Sequence, residues 1–225
     1  MTADDRQHIT PVIEDYLKVI YTLQQEQAPG PVRTSVVAEQ LDVTSASVTA
    51  MLKTLADLKL VTYAPYRGVI LTPAGERVAL EVVRHHRLIE LYLVEALGYS
   101  WDEVHQEAEA LEHVISEKLE ARIAAHLSYP TVDPHGEIIP ALDGTLPQRS
   151  TQRLADLAVG AEARIAQVSD QDAEQLRYLA ELGLVPGAQV QITASAPFDG
   201  PLSLRIGTTT QVLDRRLART ILVEE

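Results

Sequence analysis

Residues 34–72 read TSVVAEQLDVTSASVTAMLKTLADLKLVTYAPYRGVILT. Thr34 opens a short helix carrying Val36, Val37, Ala38 and Leu41, and Asp42–Val43 makes a turn. Thr44 has the side chain of an N-cap, and Val48, Met51, Leu52 and Leu55 follow at helical spacing. Val61–Thr72 alternates around a turn containing Pro65 and Gly68 and predicts a β-hairpin. An earlier helix is announced by Thr10–Pro11, continues through Val12, Tyr16, Val19, Ile20 and Leu23 to about Gln27, and is broken by Ala28–Pro31.

Helix, turn, helix and hairpin in this order predict a winged helix-turn-helix. The candidate DNA contacts are Thr34, Thr44, Ser45, Ser47, Thr49 and Lys53, with Tyr66 and Arg67 at the hairpin tip. Small hydroxyls suit base edges in a major groove, and the cations suit phosphates. A three-helix domain used for protein contacts would share the pattern, but so complete a stretch favours DNA.

The chain has 225 residues, 46% of them hydrophobic, enough for one to three domains with sizeable cores. No apolar run approaches the ~20 residues of a membrane span, and the start MTADDRQHIT lacks the pattern of a signal peptide. The absence of cysteine excludes disulfides and accords with a cytoplasmic protein. Of the net charge of −13, residues 1–70 carry −2, residues 71–150 carry −8 and residues 151–225 carry −3. Such a protein is a poor non-specific binder of polyanions.

The acidic middle also holds six of the seven histidines, among them His85, His86, His105, His113 and His135. Thr72–Pro73 opens a long helix ending near Leu97, with Gly98 after it. Its residues Ile89, Tyr92, Leu93 and Ala96 form an apolar surface suited either to a dimer partner or to an internal core. Ser100–Glu103 has the form of a capping box for the next helix, which runs to about Leu127 with a break near Ser116. Within it, Val104–His–Gln–Glu–Ala–Glu–Ala–Leu–Glu–His–Val114 reads as helix and places His105, Glu109, Glu112 and His113 along one side. His86 and Glu90 repeat the i, i+4 spacing. Imidazoles and carboxylates in this pattern suit a divalent first-row metal, whereas the plain alternative is a solvated acidic face.

Residues 128–150 are rich in Pro, Gly and polar side chains and predict an extended segment. Short strands then follow at Ala163–Val168, Ala188–Ala194, Leu202–Ile206 and Thr220–Val223, with a helix at Asp172–Glu181 capped by Gly183 and a turn at Pro186–Gly187. The expected architecture is mainly α with small β parts. It comprises a winged helix-turn-helix (1–73), a helical domain (74–140), a linker (141–150) and a small β-barrel module (151–225).

Four strings, Ile13–Tyr21, Arg84–Glu90, Val104–Val114 and Leu179–Gly187, resemble the diphtheria-toxin-repressor and manganese-transport-regulator family of metal-dependent repressors, in order and over nearly the whole chain. The resemblance implies a helical domain that binds metal and dimerises and a C-terminal SH3-like (FeoA-like) domain. It places a primary metal site on Asp15, His86, Glu109, Glu112 and His113. A second site would draw on Glu90 and His105 with Asp172 and Gln175, as in iron-type members. In some manganese-type members it would draw on Glu90, Asp133, His135 and an acid at Asp170 or Asp172. Iron-type members place sulfur ligands where this chain has Asp15 and Glu109, and the harder carboxylates favour Mn²⁺ over Fe²⁺. One manganese subgroup carries a further carboxylate one turn after Asp15, where this chain has Lys18.

The expected function is a cytoplasmic, homodimeric, Mn²⁺-responsive regulator (alternatively Fe²⁺-responsive). It would bind double-stranded operator DNA and repress metal-uptake genes when metal is bound. Histidine ligands must be neutral, so metal affinity is expected to fall below about pH 6. A winged-helix regulator answering an organic ligand is the alternative. A metalloenzyme would also use His and Glu, but the chain has no HExxH, no Gly-rich phosphate loop and no nucleophile motif.

Overall fold

The computed structural model describes residues 9–26, 30–169 and 172–224. Asp170, one of the alternative second-site acids, lies outside the described residues. The chain divides into two compact units. The first takes the residues up to His85 together with 112–114 and 140–145, and the second takes 86–111, 115–139 and 146 onward.

In the first unit, α1 (Pro11–Glu26), α2 (Thr34–Gln40) and α3 (Ser45–Asp57) precede the hairpin β1 (Val61–Ala64) and β2 (Gly68–Leu71). The long helix α4 (Pro73–Leu97) begins here. Asp42 takes a left-handed φ of 50° and the amide of Val43 donates to the carbonyl of Ala38 at 3.0 Å, which turns the chain between α2 and α3. Thr44 Oγ1 accepts from the amide of Ser47 at 3.1 Å and starts α3. Leu17, Ile20, Val37, Val48, Leu52, Leu55 and Val69 are fully buried, so one apolar stripe from each helix and one face of the hairpin make a single core. β1 and β2 pair from Val61↔Leu71 to Ala64↔Gly68, and Val32 adds a bridge to Val69. This is the winged helix-turn-helix expected from residues 34–72.

In the second unit, Ile89 and Leu93 of α4 pack on Val104 and Ala108 of α5 (Val104–Leu111). Leu88 packs on Ile123 and Ala124 of α6 (Glu117–His126) and on Ile139. Ile89 and Leu93 are therefore core residues of this chain, which settles half of the surface offered to a partner in favour of the internal alternative. Ser116 caps α6 by accepting from the amide of Leu119 at 3.3 Å. The break in the helix spans 112–116 and includes Ser116, as expected.

Residues 131–139 are not an extended linker. They form a bridged turn in which the amide of Ile139 donates to Thr131 O at 2.9 Å and that of Asp133 to Glu137 O at 3.0 Å. Burial of Asp133, His135 and Ile139 anchors it, a cue that Pro and Gly content hides. The C-terminal module is a six-stranded antiparallel sheet of order β3-β8-β4-β5-β6-β7. Its strands are β3 (Gln152–Arg153), β4 (Glu162–Val168), β5 (Gln189–Ser195), β6 (Leu202–Ile206), β7 (Thr209–Leu213) and β8 (Ile221–Glu224). α7 (Ala173–Glu181) and the one-turn α8 (Arg215–Ala218) complete it. β3 and β7 are absent from the sequence reading, because two residues and a Thr/Gln-rich run carry little apolar alternation.

The turn at 133–137 is held against β4: the amide of Val168 donates to His135 O at 2.9 Å. Gly136 has a φ of +85°, and a Cβ there would lie 2.0 Å from Ala166 O. Gly136→Ala is therefore expected to cost about 2 kcal/mol or more in denaturant unfolding. A loss under about 0.5 kcal/mol would show that the turn does not depend on this close approach.

Candidate metal centre

Among the described residues, three groups of His, Asp and Glu have ligand atoms within 4.8 Å of one another. They are Asp15, Glu112 and His113 in the first unit, and His86, His105 and Glu109, then Glu90, Asp133 and His135, in the second.

Asp15 sits on α1, while Glu112 and His113 stand in the turn after α5. The helix ends at Leu111, so His105, Glu109, Glu112 and His113 do not share one continuous helical face as the sequence predicts. The interactions of the turn explain the departure. His113 Nε2 lies 2.8 Å from Asp15 Oδ1 and 3.4 Å from Glu112 Oε1, and its Nδ1 lies 2.6 Å from Glu14 Oε2. The carboxylate of Glu112 is fully buried, with both oxygens on Lys18 Nζ at 2.8 and 2.9 Å. His85 Nδ1 lies 3.1 Å from the carbonyl of Glu112. Burial pushes the Glu14 carboxyl above its ordinary value against the opposing pull of His113.

In the second unit, Glu90 Oε1 lies 2.9 Å from His86 Nε2 and 3.4 Å from His105 Nδ1. The two imidazoles approach to 3.1 Å. Glu109 is 4.0 Å from His86 Nδ1 and 3.8 Å from His105 Nε2, with its side chain 44% exposed. Burial alone would raise the Glu90 carboxyl, but the charge of His86 and hydrogen bonds from His105, His135 and His86 outweigh it and hold Glu90 well below the carboxylate range.

Glu90, Asp133 and His135 are buried together. Glu90 Oε2 and Asp133 Oδ2 are buried and have no hydrogen-bond partner. Glu90 Oε2 stands 3.7 Å from His135 Nδ1, and Asp133 Oδ2 stands 3.7 Å from Arg87 Nε. The other Asp133 oxygen accepts from the amides of His135 and Glu137 at 2.8 and 2.9 Å. Burial, then the charges of Glu137 and Glu90, push the Asp133 carboxyl well above its ordinary value, despite Arg87 and His135. His135 Nε2 lies 2.8 Å from the Trp101 carbonyl, and the two rings stack at 5.5 Å. A carbonyl only accepts, so Nε2 carries a proton, and Nδ1 is the ring nitrogen that faces Glu90.

These groups suit a divalent cation. All donors are N and O, and two buried carboxylate oxygens point where a positive charge would satisfy them. Of the five expected primary-site residues, the structure collects Asp15, Glu112 and His113 in one group, and His86 and Glu109 with His105 in another. Asp172 and Gln175 join none of the three. Asp172 Oδ1 accepts from the amides of Glu174 and Gln175, its Oδ2 accepts from Gln175 Nε2 at 2.8 Å, and both residues are exposed at the start of α7.

The expected DNA contacts lie in the first unit. Ser45, Ser47, Lys53, Tyr66 and Arg67 are exposed, and Thr34 and Thr49 are half-buried. Three hydroxyls have local work: Thr44 is exposed but caps α3, Ser47 Oγ lies 2.9 Å from Thr44 Oγ1, and Thr49 Oγ1 donates to Ser45 O at 2.8 Å. Tyr66 stands at the hairpin tip with a left-handed φ of 64°.

Family descriptions match the chain in three blocks. "Iron dependent repressor, N-terminal DNA binding domain" covers residues 8–69, "Iron dependent repressor, metal binding and dimerisation domain" covers 72–141, and "FeoA domain" covers 152–225. The iron-dependent repressor IdeR of Mycobacterium leprae is 32% identical, over 94% of this chain and 96% of its own. The chain belongs to the iron-dependent repressor family. A solved manganese-dependent transcriptional repressor in complex with manganese is 40% identical, with a TM-score of 0.87 over 94% of this chain and 98% of that one. The regulator MntR of Geobacillus kaustophilus is 34% identical over 58% of this chain and 82% of its own. The protein is thus a metal-dependent, DNA-binding transcriptional regulator and not an enzyme, and metal displaces the organic-ligand alternative. No helix among the described residues is long and apolar enough to cross a membrane.

Sequence reasoning missed the residues that hold the candidate ligands in place. Glu14 fixes His113, Trp101 fixes His135, and Arg87 meets Asp133, Glu137 and, at 2.6 Å, the Ile138 carbonyl. Neither spacing nor composition marks them, since each acts across more than 30 residues of sequence. Arg87→Ala would remove the guanidinium beside the buried Asp133 and is expected to cost about 2–4 kcal/mol in thermal unfolding without metal. A cost near zero would mean that Arg87 does not hold the turn.

Proposed function

We propose that the protein is a homodimeric Mn²⁺-responsive repressor that binds operator DNA in the cytoplasm and silences metal-uptake genes when the ion is plentiful. One observation carries the reading. Asp15 on the first helix of the DNA-binding core faces Glu112 and His113, which come from 97 and 98 residues further along the chain. Held by a shared cation, Glu112 and His113 would pin the turn after α5 onto α1. Three acids, Glu14, Asp15 and Glu112, stand close together here, the first two against His113 and the third against Lys18.

The proposed ligands of the first group are Asp15, Glu112 and His113. His86, Glu109 and His105 form a further donor set, and Glu90, Asp133 and His135 a buried second site, with Asp172 and Gln175 left to cap α7. Carboxylate and imidazole donors without sulfur support Mn²⁺, with Fe²⁺ the next choice. The manganese complex with a TM-score of 0.87 supports the same ion, whereas IdeR is named for iron. The three family blocks support a working division into 1–73, 74–140 and 151–225 with a linker at 141–150. A family block named for dimerisation supports the homodimer, and exposed Ser45, Ser47, Lys53 and Arg67 support the DNA contact.

Metal and DNA would favour one arrangement of α1, so each tightens the other by the same factor. A coupling of about 2–3 kcal/mol corresponds to roughly 30–150-fold. Glu112→Ala and His113→Ala are expected to lose metal-dependent binding of an operator fragment while remaining dimeric in size-exclusion chromatography. A full metal response in both variants would contradict the site.

A further inference from the structure

Lys18 lies one turn after Asp15 on α1, and its ammonium sits 2.9 and 2.8 Å from Glu112 Oε1 and Oε2. The Glu112 side chain is fully buried and that of Lys18 is 16% exposed. Near-equal distances place the nitrogen between the two oxygens, the seat a doubly coordinated cation would take on that carboxylate. An ammonium has no lone pair and cannot bridge to a metal. In a half-buried setting, like charges a few ångströms apart repel strongly.

We propose that Lys18 is a resident counter-cation for Glu112 that sets how tightly the Asp15–Glu112–His113 group holds a divalent ion. The inference rests on the reading that these three residues are ligands. Glu112 needs a positive partner while it is buried, and Lys18 supplies one in the absence of metal. To ligate an ion, Glu112 must release the ammonium from at least one oxygen. Uptake is then an exchange of one cation for another, and the group holds one divalent ion at a reduced affinity. Reduced affinity is useful in a sensor, because ligand release follows falling ion supply. Lys18 acts on the metal through Glu112 and is a positioning residue.

The test is calorimetric titration of Mn²⁺ into the metal-free full chain, with the heat component missing from Asp15→Ala assigned to this group. Lys18→Gln keeps length and polarity without charge, and Lys18→Arg keeps the charge. The expected result is that Lys18→Gln binds Mn²⁺ in that component roughly tenfold or more tightly, that Lys18→Arg stays close to the parent, and that Lys18→Gln melts at a lower temperature in chelator. Unchanged or weaker binding by a folded Lys18→Gln would overturn the proposal. If Asp15→Ala loses no component at all, the ligand assignment itself fails and the role of Lys18 falls with it.

Discussion

A carboxylate removed from water must meet positive charge, and most of this protein's chemistry follows from that constraint. Glu112, Glu90 and Asp133 are each buried. The chain answers each with different means: an ammonium for Glu112, imidazoles for Glu90, and a guanidinium with backbone amides for Asp133. Two of these answers are incomplete, since Glu90 Oε2 and Asp133 Oδ2 remain without a hydrogen bond. An apolar replacement would stabilise the fold at less risk. Retention of the acids makes sense where a cation comes and goes.

The same constraint shapes the backbone. The helix begun at Val104 stops at Leu111 because Glu112 and His113 are engaged by Lys18, Glu14 and Asp15. The turn at 131–139 is ordered because Asp133 Oδ1 takes two amides and His135 stacks on Trp101. Trp101 also packs against the core of the six-stranded sheet. The residues that would feel the ion are therefore the ones that decide where two chain segments turn.

The winged helix was legible in the sequence because each of its signals is local. Thr44 caps its own helix, Asp42 makes its own turn, and Val61–Leu71 alternates with period two. The candidate ligand types were legible too, as His and Glu at recurring spacing. Long-range relations were not. Periodicity extends a helix through Glu112 and His113, since nothing local stops it. Composition turns 131–139 into a linker, since burial of Asp133 and His135 depends on residues 30 or more positions away. Glu14, Lys18, Arg87 and Trp101 are ordinary residues until the fold sets them beside a ligand.

The proposed function requires that a divalent ion and operator DNA favour the same state of this chain. Fluorescence anisotropy of an operator fragment at fixed salt, in chelator and then across a Mn²⁺ titration, tests it most directly. The expected result is little binding in chelator and binding tightened by roughly 30–150-fold as the ion is added. Equal binding in chelator and in Mn²⁺ would contradict it, leaving a winged-helix DNA binder whose buried acids serve some other purpose.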